Sequence, residues 1–331
     1  MALRSFAAGA LASICVACSP PLGHAVLPLG AAPATSIAAR SEHLYAIVTT
    51  STRYVAEYPI DGGIPGAKPD RIVTGFFAPN ALTVDNQGRL YVLDRRTIKE
   101  FAAGADGHAR PIREIYAPSF LNIDTLAVDA RGYLYVGQSK RLYVYAPGAH
   151  GHAKPVTVVK PVGYPAGLTL DASDDLYALG NTQEMDPYLA FQTHVTVYGA
   201  APGLQRVREF CTPEFTRHGI DYGVALDGKG RLFTTHTYFV NSYPVGEVDV
   251  FPADANACPE KKLATITMTP SLLEPVYLAV NSPYLYVADV DYGNGGVVFT
   301  LRTTGSPQKP LAVLQIANDQ PHNVFGIALG P

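Results

Sequence analysis

The chain has 331 residues, 47% hydrophobic and 16% charged, which is material for a sizeable core and excludes a disordered polymer. A formal charge of -3 and a pI near 6.3 leave no basic footprint for nucleic acid and no polybasic membrane patch. Length alone allows two domains, although all-β proteins of this size often form a single unit.

At the N-terminus, Arg4 is the only charge before an apolar run from Phe6 to Val16. The run is too short to span a bilayer and reads as a signal segment. Two cleavage readings stand. The stretch Cys15-Val16-Ala17-Cys18-Ser19 resembles a bacterial lipobox, so that cleavage after residue 17 makes Cys18 a lipidated first residue; Cys15 stands where Leu is usual. The other reading removes a signal peptide of residues 1–25, with Gly23 and Ala25 as the small residues before the cut. Both predict export, as a periplasmic or outer-membrane lipoprotein in the first case and a secreted protein in the second. Membrane contact is expected only through that lipid.

From about residue 36 onward one phrase recurs: an apolar strand, an Asp-x-x-Gly-like turn, then Leu-Tyr and further apolar residues. It runs from Ala81 through Asp85 and Gly88 to Leu90-Tyr91, and returns from Leu126 through Asp129 and Gly132 to Leu134-Tyr135. Further copies are Gly167–Asp171 with Leu176-Tyr177, Gly223–Asp227 with Leu232-Phe233, and Tyr277–Asn281 with Leu285-Tyr286. A degraded first copy ends in Leu44-Tyr45. Each is a hairpin by its own chemistry, because Asp or Asn with Gly supplies the tight turn between apolar strands. Asp85, Asp129, Asp171 and Asp227 therefore carry no assigned chemistry.

A second phrase follows each hairpin: an aromatic strand end, a Gly/Pro/Ala turn, and a basic residue or Pro before another apolar run. Examples start at Tyr58, Phe101 and Tyr145. Each unit thus holds four strands, and Pro at the start of the outermost one suits a sheet edge. Units repeating at roughly 40–55 residues with four strands each predict an all-β, six-bladed β-propeller over residues 36–331, with four-stranded antiparallel blades. The terminal stretch from Phe325 to Pro331 is an inner strand without a blade of its own. It is expected to close the ring against the repeat from Leu44 to Val73.

Outside the signal segment only Cys211 and Cys258 remain. An oxidising compartment permits a disulfide closing a loop of about 46 residues, worth up to roughly 4 kcal/mol in the chain-entropy model. Two unpaired buried thiols are the alternative. The repeat puts Cys211 late in an outer strand and Cys258 in a hairpin before one, an arrangement that can set them at opposite ends of a blade.

The Gly-rich turn phrase and the Asp-x-x-Gly-x-Leu-Tyr hairpins resemble the six-bladed NHL-repeat and SMP-30/gluconolactonase-like propellers, over roughly residues 36–331. The resemblance implies a ligand on the face carrying the blade-to-blade connections and the middle-hairpin loops. It also implies that residues ahead of each inner strand line a central funnel: Asn80, Asp124, Ala166, Tyr222, Val276 and Phe325. Lactonases of this kind hold a divalent cation there with a Glu and Asn/Asp ligands. Asn80 and Asp124 match that pattern, the other positions do not, and no Glu precedes the first strand near Ile37. Two oxygen side chains are too few for calcium, which prefers six or more. Glu274 is the added metal-ligand candidate.

The connections of the later blades are richer in polar side chains. Arg217, His218, Asp221 and Tyr222 lie in one, Glu274 in another, and His322-Asn323 in the last; the middle loops add His194, His236, Tyr238 and Asn241. His218, His236 and His322 on one funnel would suit zinc, whose bound water is a competent base near neutral pH. Such residues also gather in loops simply because they cap turns and face water. The stretch Asp289 to Gly296 reads as a calcium loop or, more simply, a wide turn. No Walker loop, nucleophile elbow or dinucleotide fingerprint is present. The leading expectation is a non-catalytic binding module for a small molecule, glycan or protein on the funnel face, with no cofactor assigned. The alternative is a metal-dependent lactonase, hydrolase or lyase, using calcium or zinc at that face.

Overall fold

The computed structural model describes residues 42–116, 123–161, 163–183, 190–217, 223–241, 243–291, 295–316 and 324–331. The signal segment, Cys18 and the residues His218, Asp221, Tyr222, His322 and Asn323 lie outside them. The described residues fall in one compact unit, Arg40–Pro331, and contain strands and turns but no helix.

Six antiparallel sheets make six blades. Blade 1 contains β1 (His43–Thr49), β2 (Arg53–Asp61), the short β3 (Ile64–Pro65) and β4 (Arg71–Thr74). Blade 2 is β5 (Pro79–Val84), β6 (Leu90–Asp94), β7 (Thr97–Phe101) and β8 (Arg113–Tyr116), and blade 3 is β9 (Ile123–Val128), β10 (Leu134–Gln138), β11 (Arg141–Tyr145) and β12 (Thr157–Val159). Blade 4 is β13 (Tyr164–Leu170), β14 (Leu176–Gln183), β15 (Ala190–Tyr198) and β16 (Arg206–Arg217). Blade 5 is β17 (Val224–Leu226), β18 (Leu232–Val240), β19 (Tyr243–Phe251) and β20 (Ala264–Ile266). Blade 6 is β21 (Pro275–Asn281), β22 (Tyr284–Asp291), β23 (Gly295–Arg302) and β24 (Ala312–Gln315). The last strand, β25 (Val324–Gly330), is the innermost strand of blade 1. It pairs antiparallel with β1 from His43↔Gly330 to Val48↔Val324, so the chain end closes the ring as the repeat predicts.

The recurring Asp makes the inner hairpin. Asp85 accepts the N–H groups of Gln87 and Arg89, both at 2.9 Å, and Asp129 those of Arg131 and Tyr133 at 3.0 and 2.7 Å. Asp171 and Asp227 repeat the pattern. Gly88 takes the left-handed conformation (φ 79°) that closes the turn; in blade 4 Asp174 accepts it instead (φ 64°).

Because each blade is covered on both faces, its second strand reads as a continuous apolar run, with Leu90–Asp94 buried throughout. Leu90 and Val92 pack with Tyr45, Val55 and Val73 of blade 1, while the alternate Tyr91 and Leu93 pack with Leu126 and Val136 of blade 3. The same division gives one apolar cluster at each of the six blade interfaces, including that between blades 6 and 1.

The Gly-rich turn phrase has a second role. In blade 2 the turn reaches back to the outer strand of blade 1, where Thr74 N donates to Gly107 O and Gly107 N to Ile72 O, each at 2.8 Å. Gly151 does the same with Glu114 and Tyr116, and Gln308 with Thr267 and Thr269. Blades 4 and 5 show the covalent version. Cys211 in β16 is disulfide-bonded to Cys258 in the turn between β19 and β20, with Cα atoms 4.7 Å apart. The two are not at opposite ends of one blade: they belong to adjacent blades, brought together by this backward reach. Cys211 N donates to Ala257 O (3.2 Å) and Glu260 N to Cys211 O (2.8 Å) beside them.

Candidate functional site

One face of the ring carries the connections into each innermost strand and the hairpins between each blade's second and third strands. Five innermost strands enter from that face through a β-bulge. In β5 the pairing passes from Pro79↔Asp94 to Ala81↔Leu93, so that Asn80 has no opposite residue in β6. Asp124 is skipped likewise in β9, Ala166 in β13 and Val276 in β21, and Phe325 lies within the bulge of β25. The residues expected ahead of the strands are therefore inside their first turns of pairing. A bulge re-aims its extra residue, which makes these five positions equivalent points on the funnel rim.

Below the rim the axis is narrow and uncharged. Among the described residues its walls carry Ala81, Thr125, Gly167, Gly223, Leu278 and Gly326, one from each blade. Small side chains and backbone line this stretch of the axis, whereas the larger polar and aromatic side chains described below stand on the rim.

Two carboxylates fix the rim backbone. Asp94, at the end of β6, accepts the N–H groups of Phe77 (2.9 Å) and Ala78 (2.7 Å) in the connection from blade 1. It also pairs with Lys99 at 2.7 Å. Asp289 holds the equivalent place in blade 6, accepting Leu273 N and Glu274 N, both at 2.8 Å. Asp289 thus holds the backbone of the connection; residues 292–294 of the loop that follows it lie outside the described residues. In blade 5 Thr235 does the same work through Gly223 N (3.0 Å). The clamp in blade 2 extends one residue further. Arg95 N donates to Ala78 O (3.2 Å), and the Arg95 guanidinium lies 4.0 Å from the centre of the Phe77 ring. Across the rim, Lys140 Nζ lies 4.8 Å from the ring centre of Tyr164. Sequence reasoning missed Asp94, Arg95 and Lys140; the available signal was a hairpin tip reading Asp94-Arg95-Arg96 where Asn-Gly is the usual turn.

The predicted site residues separate. Asn80 and Asp124 occupy equivalent bulges in adjacent blades 2 and 3, whereas Glu274 lies in the connection to blade 6, with blade 1 between. Arg217 ends β16 on the rim face. The matching bulge positions Ala166, Val276 and Phe325 offer no oxygen ligand, so this set does not fit calcium. Among the described residues no group of three or more His, Cys, Asp or Glu side chains is arranged to hold a metal.

His236, expected in a loop, lies inside β18 and is 4% exposed. Leu232, on the same side of that strand, packs with blade 4, which puts His236 in the interface of blades 4 and 5 rather than on the funnel. It pairs across from Glu247 and rests 5.8 Å from the Tyr238 ring. Asp249 is buried in the same strand pair, accepting Thr265 Oγ1 (2.8 Å) and Lys262 Nζ (3.1 Å). Burial raises its pKa to about 6, against the lowering effect of Lys262.

The structure is similar to that of a protein of unknown function from Bacteroides caccae, with a TM-score of 0.54 and 11% identity over 87% of this chain and 98% of that one. A protein from Lactobacillus plantarum gives 0.54 and 13% over 87% and 99%. No family model matches the chain, and no curated protein matches it. At such identities the likeness bears on the propeller fold alone.

Proposed function

We propose that this chain is an exported propeller that binds its ligand (a small molecule, glycan or protein) on the rim where the innermost strands begin. Export rests on the signal segment, with Cys18 lipidation or release after Ala25 as its two forms. The rim reading rests on one observation above the rest: the clamp of Asp94 on Phe77 and Ala78, which holds an exposed aromatic and the Arg95 guanidinium side by side on the rim. Preorganised side chains on a rigid rim cut the ordering cost of binding. No catalytic step is assigned.

The test is a thermal-shift screen against small molecules, oligosaccharides and peptides. It compares the wild type with Phe77→Ala/Tyr164→Ala on the rim and His150→Ala/His152→Ala on the opposite face. A hit that the rim variant loses and the other retains supports the reading. Hits lost only in the opposite-face variant overturn it. Lipid-precursor labelling of the wild type and of Cys18→Ser tests the anchor, with label lost in the variant if Cys18 carries it.

A further inference from the structure

The rim is unevenly charged although the whole chain is slightly acidic. The hairpins of three consecutive blades end in exposed cations: Arg53 in blade 1, Arg95 and Arg96 in blade 2, Lys140 and Arg141 in blade 3. Lys160 follows in the connection to blade 4. Several cations elsewhere are matched: Arg71 pairs with Glu57, Arg113 with Glu100, and Arg231 with Asp227; the exposed lysines of the opposite face, such as Lys261 and Lys309, sit singly on outer turns. Among the described residues none of the six rim cations has a carboxylate partner.

One of them is held in a costly position. Arg95 is the first residue of its two-residue turn and has φ 59°; Ser139 matches it in blade 3 with φ 52°. Left-handed backbone there suits glycine, and a long side chain in it is strain of the kind that clusters at functional sites. Arg95 is also stacked on Phe77, which is 58% exposed, and Lys140 on Tyr164, which is 47% exposed. Arg95 and Lys140 thus each lie against a ring that keeps open apolar surface.

We infer that this arc of blades 1 to 4 binds an extended acidic polysaccharide, a polyuronate chain. Charges repeated from blade to blade match a ligand whose carboxylates repeat along its length. The planar Arg fork takes a carboxylate in two hydrogen bonds, and Phe77 and Tyr164 offer rings to the C–H faces of the sugars. This assignment deepens the rim-binding reading and rests on it.

The experiment is calorimetric titration of the full chain with hexagalacturonate, with cellohexaose, duplex DNA, an acidic peptide and phosphatidylglycerol vesicles as comparison ligands. Hexagalacturonate should bind, weaken on raising NaCl from about 50 to about 300 mM, and be measurably preferred over the other four. Arg95→Gly with Lys140→Ala should lower its affinity by about tenfold while Tm stays near that of the wild type, because glycine relieves the turn. Lys261→Glu with Lys309→Glu, on exposed turns of the opposite face, should change nothing. Absence of hexagalacturonate binding, equal loss in both double variants, or tighter binding to DNA, peptide or vesicles overturns the inference. Binding of cellohexaose or the peptide that is lost in Phe77→Ala/Tyr164→Ala overturns the polyuronate class alone and leaves the rim reading standing. If every bound ligand responds only to the opposite-face variant, both fail.

Discussion

The carboxylate of Asp94 accepts the backbone N–H of Ala78 at 2.7 Å, tying the tip of one blade's hairpin to the connection that enters the same blade. Asp94 is 5% exposed and serves Phe77 N and Lys99 as well. Asp94→Ala strands two backbone donors and a cation at once. We expect a loss of about 2–3 kcal/mol in urea unfolding. Weaker rim binding should accompany it, since Phe77 and Arg95 lose their shared anchor. An unfolding free energy within about 0.5 kcal/mol of the wild type would show that the clamp is not holding the connection.

The Cys211–Cys258 bond crosses a blade interface and closes a loop of sequence separation 47. Loop entropy predicts about 4 kcal/mol, and the backbone hydrogen bonds beside it moderate the effect of its removal. Cys211→Ser/Cys258→Ser should unfold about 2–4 kcal/mol more easily than the oxidised protein. Reduced wild type should match the double variant. Equal stability of the oxidised and reduced wild type would contradict this.

Asp249 gives a pH dependence with a definite sign. Its folded pKa of about 6 lies above the 3.8 of an unperturbed aspartate, so the unfolded chain releases its proton first as pH rises. The contribution is therefore fully present below about pH 4 and lost as pH climbs through 6. Between pH 5 and pH 7.5 the wild type should lose about 1 kcal/mol relative to Asp249→Asn, after subtracting the variant's own profile. Urea midpoints at the two pH values measure it. A difference that stays constant, or grows in the other direction, would place Asp249 in a more solvated site.

Ring closure rests on β25, whose Val324 and Ile327 pack in the cluster between blades 6 and 1. Deleting residues 324–331 uncovers the edge of β1 and opens that cluster. The truncated chain should lose its single cooperative unfolding transition and aggregate, as exposed edges and apolar faces do. A cooperative transition within a few degrees of the full chain's would mean that closure lies elsewhere.

Much of this architecture is legible in the residues. Asp85, Asp129, Asp171 and Asp227 announce their hairpins because each turn's chemistry is local. The chain end from Phe325 is readable as a closing strand because it repeats the inner-strand pattern and lacks a hairpin. What relates one blade to the next is not local and leaves little trace. Cys211 and Cys258 meet because a turn in blade 5 folds back on blade 4, which no spacing encodes. Asn80 and Asp124 look like residues ahead of a strand because a bulge is defined by its partner strand, Asp94 or Gln138, rather than by its own side chain. His236 reads as a loop histidine because β18 and β19 extend well beyond the apolar core, and its burial comes from the neighbouring blade. The rim cations were visible one by one, yet only the alignment of three hairpins on one face makes them a set.

The most direct measurement on the rim is hydrogen–deuterium exchange of the full chain with and without hexagalacturonate. Slower exchange is predicted in the connection around Phe77 and in the hairpin tips at Arg95–Arg96 and Ser139–Arg141, with the outer turns around Gly107 and Gly151 unchanged. Protection confined to those outer turns, with the rim exchanging as in the free protein, would contradict the account.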